Sequence, residues 1–165
     1  MLWCDLAWDF THRRRRPPPD PVNAMLSFGY TLLLNDAVVA CHIAGLDPEG
    51  GFLHSLKQGR ASLALDLMEE FRPTVVDTVV NGLVMGGRVA PEGFDHPAEE
   101  GQGCRMSPEV LKVFLAAYEK RMLTLVKHPG LGRRVSYRAA LTAQARLLAG
   151  VLSGREDAYV SMVWR

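Results

Sequence analysis

The sequence is short of cysteine, of net charge and of repeats. Its three cysteines are odd in number and widely spaced, so they form neither a disulfide framework nor a paired zinc motif. We expect reduced thiols in a cytoplasmic protein. The formal charge of +1 excludes an overall positive field of the kind that attracts nucleic acid. No internal repeat or heptad pattern is present.

The sequence also lacks a clear leader and an uninterrupted apolar span. Residues 1–10 are apolar but contain Asp5 and Asp9, and the arginines follow this segment instead of preceding it. The apolar stretch 22–46 is broken by polar residues, so a membrane span and a membrane partner are not expected. The 165 residues are enough for one soluble domain with its own core.

Helix-start signals predict the first two helices. Asp20 and Pro21 form an N-cap and first-turn pair for an apolar helix over roughly residues 21–45. Ser62 is predicted to be the N-cap of a shorter helix that Pro73 ends. The first helix is apolar almost all round, which is typical of a central helix in a helical domain.

Helical periodicity continues through the second half of the sequence. A valine-rich helix is predicted after Pro73, although its β-branched residues also permit a strand. Another helix starts at Ser107, and the last covers about residues 137–152 with Ser136 as its cap. Residues 86–106 are predicted to be an exposed loop. The fold class is therefore all-α, an irregular domain of about five helices.

An arginine–proline run, RRRRPPP, precedes the first helix. Its prolines favour an extended chain and exclude a helix, so we divide the sequence into an atypical stub and linker, 1–19, and a helical catalytic-type domain, 20–165. Two interpretations of the arginines stand side by side. They form a solvated, flexible tail, or they contact DNA beside the first helix, with Arg14 and Arg16 as binding residues.

The helix that ends at Pro73 carries the candidate chemistry. Asp66 and Glu69 are three residues apart, which places their Cβ atoms roughly 5–6 Å from each other. Two carboxylates that close repel each other unless a proton or a cation lies between them. With His54 in the preceding loop and Lys57 and Arg60 in a basic turn, they suit a divalent metal that acts on phosphate. The alternative is a surface histidine and an ordinary solvated helix face.

Several other polar residues are given structural interpretations. Glu70 is predicted to be solvated and paired with a nearby arginine, and His128 to be structural or at the surface. Asn23 has either a capping or buried hydrogen-bonding role or a role in a site. Gln144 and Arg146 are predicted to make internal polar contacts or to touch DNA.

Three segments carry a family resemblance: RRRRPPPDPVNAMLSFGYTLL at 13–33, AGLDPEGGFLH at 44–54 and GRASLALDLMEEFRP at 59–73. In these the sequence resembles the C-terminal helical domain of CRISPR-associated protein one, the integrase and endonuclease family of spacer acquisition. The resemblance implies Mg²⁺ or Mn²⁺ held by a glutamate, a histidine and a second acidic residue.

The family motifs fall on numbered positions of this sequence. His54 and Glu69 match two of the metal ligands, and Asp66 matches the companion acid, so these three are the catalytic candidates. Lys57 and Arg60 match the loop that meets DNA phosphates. The implied reaction is a transesterification in which a DNA 3′-hydroxyl attacks a phosphodiester of the CRISPR repeat.

The resemblance leaves one ligand without a match. The family places its first glutamate ligand, and an N-terminal β-domain, before the arginines, and no glutamate precedes Arg13 here. We therefore expect an N-terminally truncated form with two of three ligands. The implied partners are DNA (branched or protospacer duplex and the CRISPR repeat), a second copy in a homodimer, and CRISPR-associated protein two.

Two other functional classes stay open. The chain is a degraded relative that binds DNA or a protein without catalysis, or it is a gene fragment with no independent function.

Overall fold

The chain is helical over most of the part that the structure describes. This structure is a computed structural model, and it describes residues 8–14, 17–50, 60–95 and 102–162. Within these ranges lie five α-helices: α1 Pro21–Ile43, α2 Ser62–Glu69, α3 Thr78–Met85, α4 Pro108–Met122 and α5 Tyr137–Leu152. Two antiparallel strand pairs accompany them: β1 Phe94–Asp95 with β2 Arg105–Met106, and β3 Leu125–Lys127 with β4 Arg134–Ser136. The predicted all-α fold of about five helices is confirmed.

The capping signals place α1 and α5 closely. The Asn23 backbone N–H donates to Asp20 Oδ1 at 2.8 Å, so Asp20 caps α1 as predicted. The helix ends at Ile43, and Gly45 follows it with a φ of +74°, a left-handed conformation that favours glycine. Ser136 accepts a hydrogen bond from the Ala139 N–H and caps α5, which spans Tyr137–Leu152 as predicted.

The described residues divide into two compact units. One comprises Met1–Thr31 and Val76–Lys120, and the other comprises Leu32–Val75 and Arg121–Arg165. The residues of α1 are therefore shared between the two units. This division does not test the predicted boundary between the linker, 1–19, and the helical domain, 20–165, which stays a prediction.

The first unit has an aromatic core. The Phe28 and Phe114 rings meet edge to face with centroids 5.6 Å apart, and Trp8 meets Phe94 in the same way at 6.2 Å. Gly29 allows α1 to lie close to Val76, because a Cβ at position 29 would be 2.6 Å from Val76 Cγ1. Trp8 and Phe10 are buried, so at least these two bulky residues before the arginines belong to the core.

The second unit is built on α2 and α5, which pack against each other. Leu63, Leu67 and Met68 on α2 are buried, as are Leu141 and Ala145 on α5. The β3–β4 pair lies next to α5 in the chain and contacts it. This unit positions every acidic candidate residue of α2.

Three local predictions need correction, and one strand pair was not predicted. Ala61, not Ser62, occupies the N-cap position of α2, and Ser62 is the first helical residue. Helix α2 ends at Glu69 and not at Pro73. The segment after it is helical, as favoured, but starts as a π-helix over Pro73–Asp77. Part of the predicted loop 86–106 is ordered: β1 and β2 pair there, and Phe94 and Cys104 are buried. The β3–β4 pair had no counterpart in the prediction, because a three-residue strand is too short to show a period.

Helix α1 is the single described helix that is long and apolar enough, by length and composition, to cross a membrane. About 44% of its most apolar window is buried inside the protein, and core helices of soluble proteins meet the same criterion. The finding is weak support for a membrane span.

Candidate functional site

The acidic residues of the candidate site lie along α2. The Pro48 carbonyl accepts hydrogen bonds from the Leu63 and Ala64 N–H groups at 2.9 and 3.3 Å, which satisfies donors at the start of the helix. Asp66 is partly exposed and borders a cavity of about 310 Å³, lined mainly by leucine and valine side chains of α2 and α5. Glu69 follows one turn later at the end of α2 and is exposed.

Glu69 is held by a local ion pair. Arg72 Nη1 donates to Glu69 Oε1 at 2.6 Å and to Oε2 at 2.7 Å, so one guanidinium nitrogen spans both carboxylate oxygens. The Glu69 side chain keeps 45% of its surface exposed, against 20% for Arg72. Glu69 is therefore the solvent-facing partner of this ion pair, and Arg72 is the more buried one.

Glu70 faces a different environment. One carboxylate oxygen accepts from the Gln144 Nε2 at 3.0 Å and from the Met162 backbone N–H at 2.8 Å, and the other accepts from the Tyr159 hydroxyl. The side chain is partly buried. The prediction that Glu70 is solvated is therefore wrong. Instead it joins α2 to α5 and to the segment after α5.

Two titratable groups beside Glu70 have shifted pKa values. Burial, the hydrogen bond to Glu70 and the negative charge of Glu70 together raise the pKa of Tyr159 far above its usual 10.0. Burial lowers the pKa of His128 below 6.5, although Gln144 and Glu70 partly oppose that shift. His128 Nδ1 accepts from the Leu131 N–H at 3.2 Å, which places the ring proton on Nε2. His128 is buried and structural, as one of its two predicted roles stated.

The donor chemistry of α2 fits a hard divalent cation. Asp66 and Glu69 offer carboxylate oxygens, which Mg²⁺ and Mn²⁺ prefer, and both are partly or fully exposed. The two other predicted residues of this site, His54 and Lys57, lie outside the described residues. Among the residues that are described, no group of three or more His, Cys, Asp or Glu side chains is arranged to hold a metal ion.

The described cysteines do not provide an alternative catalytic group. Cys41 and Cys104 are free and buried. Burial, together with Asp47 near Cys41 and the acids Asp20 and Asp95 near Cys104, raises the pKa of each thiol to about 11. Both therefore stay protonated at neutral pH and are poor nucleophiles.

The first arginine of the basic run is fixed to α1. Arg13 Nη1 donates to Asn23 Oδ1 at 2.8 Å, and its Nη2 donates to Ser27 Oγ at 3.0 Å. The guanidinium also lies 5.5 Å from the centre of the Tyr30 ring. The flexible-tail interpretation is therefore wrong at Arg13, which is an internal structural residue.

Asn23 organises this contact. It is fully buried, its Nδ2 donates to Asp20 Oδ2 and to the His12 carbonyl, and its Oδ1 also accepts from the Arg14 backbone N–H at 2.8 Å. Of its two predicted roles, the buried hydrogen-bonding role is the one observed. The Arg14 side chain is exposed, Arg60 is half-buried, and Arg16 lies outside the described residues.

Sequence reasoning missed the polar network around Glu70. Its members Glu70, Gln144, Tyr159 and Met162 are separated by up to 92 positions, so no local pattern indicates that they meet. Internal polar contacts were one of the two roles predicted for Gln144. Its Nε2 makes such contacts, including a hydrogen bond to the Val160 carbonyl at 3.1 Å. Arg72 lies three residues after Glu69, a helical spacing, so this ion pair could have been predicted from the sequence.

The described residues thus define a helical domain with two carboxylates on α2, an exposed Glu69 and a partly exposed Asp66. Residues 2–120 match the family described as CRISPR associated protein Cas1. A CRISPR-associated endonuclease Cas1 of Thermus thermophilus is 46% identical over 151 residues, which cover 91% of this chain and 44% of that protein. The chain belongs to the Cas1 family, and it spans less than half the length of this relative.

Two solved structures share the fold. A casposase bound to integration product superposes with a TM-score of 0.81 at 27% identity, over 91% of this chain and 42% of the casposase. The Cas1-containing protein of a Cas6-RT-Cas1–Cas2 complex also gives a TM-score of 0.81, at 26% identity, over 99% of this chain and 17% of that one. The predicted family resemblance is confirmed.

Proposed function

We propose that this chain is the helical part of a divalent-metal-dependent DNA endonuclease and integrase of CRISPR adaptation. The observation that carries the proposal is the acidic pair on α2, an exposed Glu69 and a partly exposed Asp66, in a chain of the Cas1 family. The endonuclease name of the Thermus relative and the integration product bound by the casposase support it.

Mg²⁺ or Mn²⁺ would be held by His54 and Glu69, with Asp66 as the companion acid. When bound, the metal supplies Lewis-acid stabilisation of the negative charge that develops on a phosphoryl oxygen. Glu69 suits this role because its own side chain is exposed and the hydrogen bonds that it accepts from described residues come from one residue, Arg72.

The cationic side chains would position the DNA. Lys57, Arg60, Arg14 and Arg16 are assigned to phosphate contacts, which give affinity and register but no sequence information. In the proposed reaction a DNA 3′-hydroxyl gives up its proton to water and forms a new P–O bond. The bond from the same phosphorus to the leaving 3′-oxygen breaks, and that oxygen takes up a proton.

The partners follow from the same proposal. DNA as a branched or protospacer duplex and the CRISPR repeat would be the substrates. A second copy of the chain and a Cas2 protein would be the assembly partners, and the Cas2 contact is supported by the Cas6-RT-Cas1–Cas2 complex. The cytoplasm would be the compartment, in line with buried thiols at Cys41 and Cys104.

Nicking of a labelled branched DNA with Mn²⁺ tests the proposal. We expect Glu69→Gln to reduce the rate about 100-fold or more, because a lost ligand removes several kcal/mol of charge stabilisation. His54→Ala is expected to act similarly. Glu92→Gln, which changes an exposed glutamate in the other unit, is the matched control and should leave the rate unchanged.

The outcome that overturns the proposal is equally definite. If the wild-type chain binds the same DNA equally well with EDTA and with Mn²⁺ and nicks none of it, the chain is a non-catalytic DNA-binding module. If Glu69→Gln and Glu92→Gln nick at the same rate, Glu69 is not a ligand.

A further inference from the structure

Positive charge is concentrated in one part of the chain. Residues 120–138 contain six lysines and arginines and no acidic residue. They are Lys120, Arg121, Lys127, Arg133, Arg134 and Arg138. The rest of the chain carries 13 of the 19 basic residues and all 18 acidic ones. The net charge of +1 is therefore the sum of a strongly cationic segment and a remainder with more acidic than basic residues.

Arg121 and Arg138 bind groups outside the β3–β4 pair. Arg121 Nε donates to the Thr74 carbonyl at 2.7 Å, and its guanidinium stacks on Tyr137 at 4.6 Å from the ring centre. Arg138 Nε lies 3.4 Å from Asp36 Oδ1. The β3–β4 hairpin, residues 125–136, instead presents Lys127, Arg133 and Arg134 as exposed side chains.

The register of this hairpin places like charges opposite each other. Lys127 pairs directly with Arg134, so the two side chains lie on the same face of an antiparallel pair. Cross-strand neighbours of this kind are roughly 4.5–5.5 Å apart at Cβ, and like charges there are destabilising. Arg134 Nη2 donates to the Leu125 carbonyl at 3.0 Å, which holds the guanidinium on the hairpin and not away from it.

The other hairpin shows the usual arrangement. There Asp95 pairs directly with Arg105, so the cross-strand charges are opposite. Both strand pairs are short and carry one charged cross-strand pair each, yet only β3–β4 keeps a repulsive one among the described residues. An anion that binds between Lys127 and Arg134 would remove the repulsion.

We propose that the β3–β4 hairpin is a contact surface for the DNA phosphate backbone, through Lys127, Arg133 and Arg134. The choice of DNA as the polyanion rests on the proposed function. Arg133 is the exposed cation next to Arg134, and with Val135 and Arg146 of α5 it lines a cavity of about 660 Å³ that Lys127 and Arg134 do not line. Glu156 also lines this cavity and is the acidic residue that would weaken the contact.

Binding of a labelled duplex in EDTA, measured by fluorescence anisotropy between about 50 and 200 mM salt, tests this proposal. Changing Lys127, Arg133 and Arg134 together to alanine should reduce the slope of log K against log salt by about 2 to 3, and weaken binding about tenfold or more at the lower salt. The matched control changes three exposed cations of the other unit, Arg88, Arg105 and Lys112, to alanine and should alter neither quantity by a comparable amount.

Lys127→Glu separates loss of binding from loss of folding. It creates an opposite-charge pair with Arg134, so the melting temperature should stay equal or rise while DNA binding weakens. If the melting temperature is maintained and binding is unchanged, the hairpin does not contact DNA. If polyglutamate competes with the wild-type hairpin as well as DNA does, weight for weight, the surface is not a DNA site and the proposal fails.

The two proposals fail in different ways. Mn²⁺-dependent nicking by a protein whose hairpin variants bind DNA like the wild type overturns the hairpin proposal and leaves the proposed function intact. A reduced salt slope in the hairpin variants, with no Mn²⁺-dependent nicking by the wild type, upholds the hairpin proposal and overturns the proposed function.

Discussion

The two sides of the end of α2 present the same functional group in opposite settings. Glu69 is exposed and bound by Arg72, three residues away on the same helical path. Glu70 is partly buried and bound by groups 74 to 92 positions away. An exposed carboxylate with one local partner is the better candidate for a cation ligand. A carboxylate with three donors from distant elements is committed to the fold, so of these two glutamates we propose Glu69 as the ligand.

The strongest way to break this contrast is to truncate each glutamate in turn. Glu70→Ala should lower the free energy of unfolding by about 3 kcal/mol, because it removes the carboxylate that accepts from Gln144, Tyr159 and the Met162 N–H. Glu69→Ala should change it by less than about 0.5 kcal/mol, since an exposed pair is worth little. Urea denaturation of both variants measures the difference. Equal losses would show that the two residues share one role.

A smaller effect is expected from the hydroxyl that binds Glu70. Tyr159→Phe should cost about 1.5 kcal/mol at neutral pH. Because its pKa is raised in the folded state, Tyr159 contributes stability that is present below its usual pKa of 10.0 and is lost as the pH rises above it. The stability difference between the wild type and Tyr159→Phe should therefore shrink between about pH 9 and about pH 11. A difference that is constant over this range would contradict the assignment.

The smallest effect concerns the imidazole at the edge of the same network. Burial lowers the folded-state pKa of His128, so the unfolded chain binds its proton first as the pH falls. The contribution of His128 to stability is present above 6.5 and decreases below it. Urea titrations between about pH 7 and about pH 5 should show a weaker pH dependence in His128→Gln than in the wild type. His42→Gln, a change at an exposed histidine, is the control and should keep the wild-type dependence.

Local signals predicted the features that local physics determines. Asp20 with Pro21, and Ser136, marked the starts of α1 and α5 because a cap acts within one helical turn. The apolar periodicity after Pro73 favoured a helix correctly, but the π-helical start at Pro73–Asp77 leaves no mark in that pattern. The acidic pair of α2 was also local, since Asp66 and Glu69 lie one turn apart.

Features that depend on contacts between distant residues were not predicted from the sequence. No residue near Glu70 in the sequence indicates that it contacts Tyr159 or Met162. Helix spacing alone therefore led to the prediction that Glu70 is solvated. Arg13 was read with its three neighbours as one basic run, whereas its own partners are Asn23 and Ser27. The repulsive pair Lys127 and Arg134 becomes visible only once the strand register is known.

The bond from position 162 to Glu70 is made by the main chain. Every amino acid except proline supplies that N–H, so this link can persist while the side chain at position 162 diverges. Tyr159 and Gln144 have no such freedom, because their contacts come from side-chain atoms. In related chains, the contact between Glu70 and the segment after α5 should therefore be recognised by the backbone geometry of that segment. The identity of the residues in the segment should be a weaker guide.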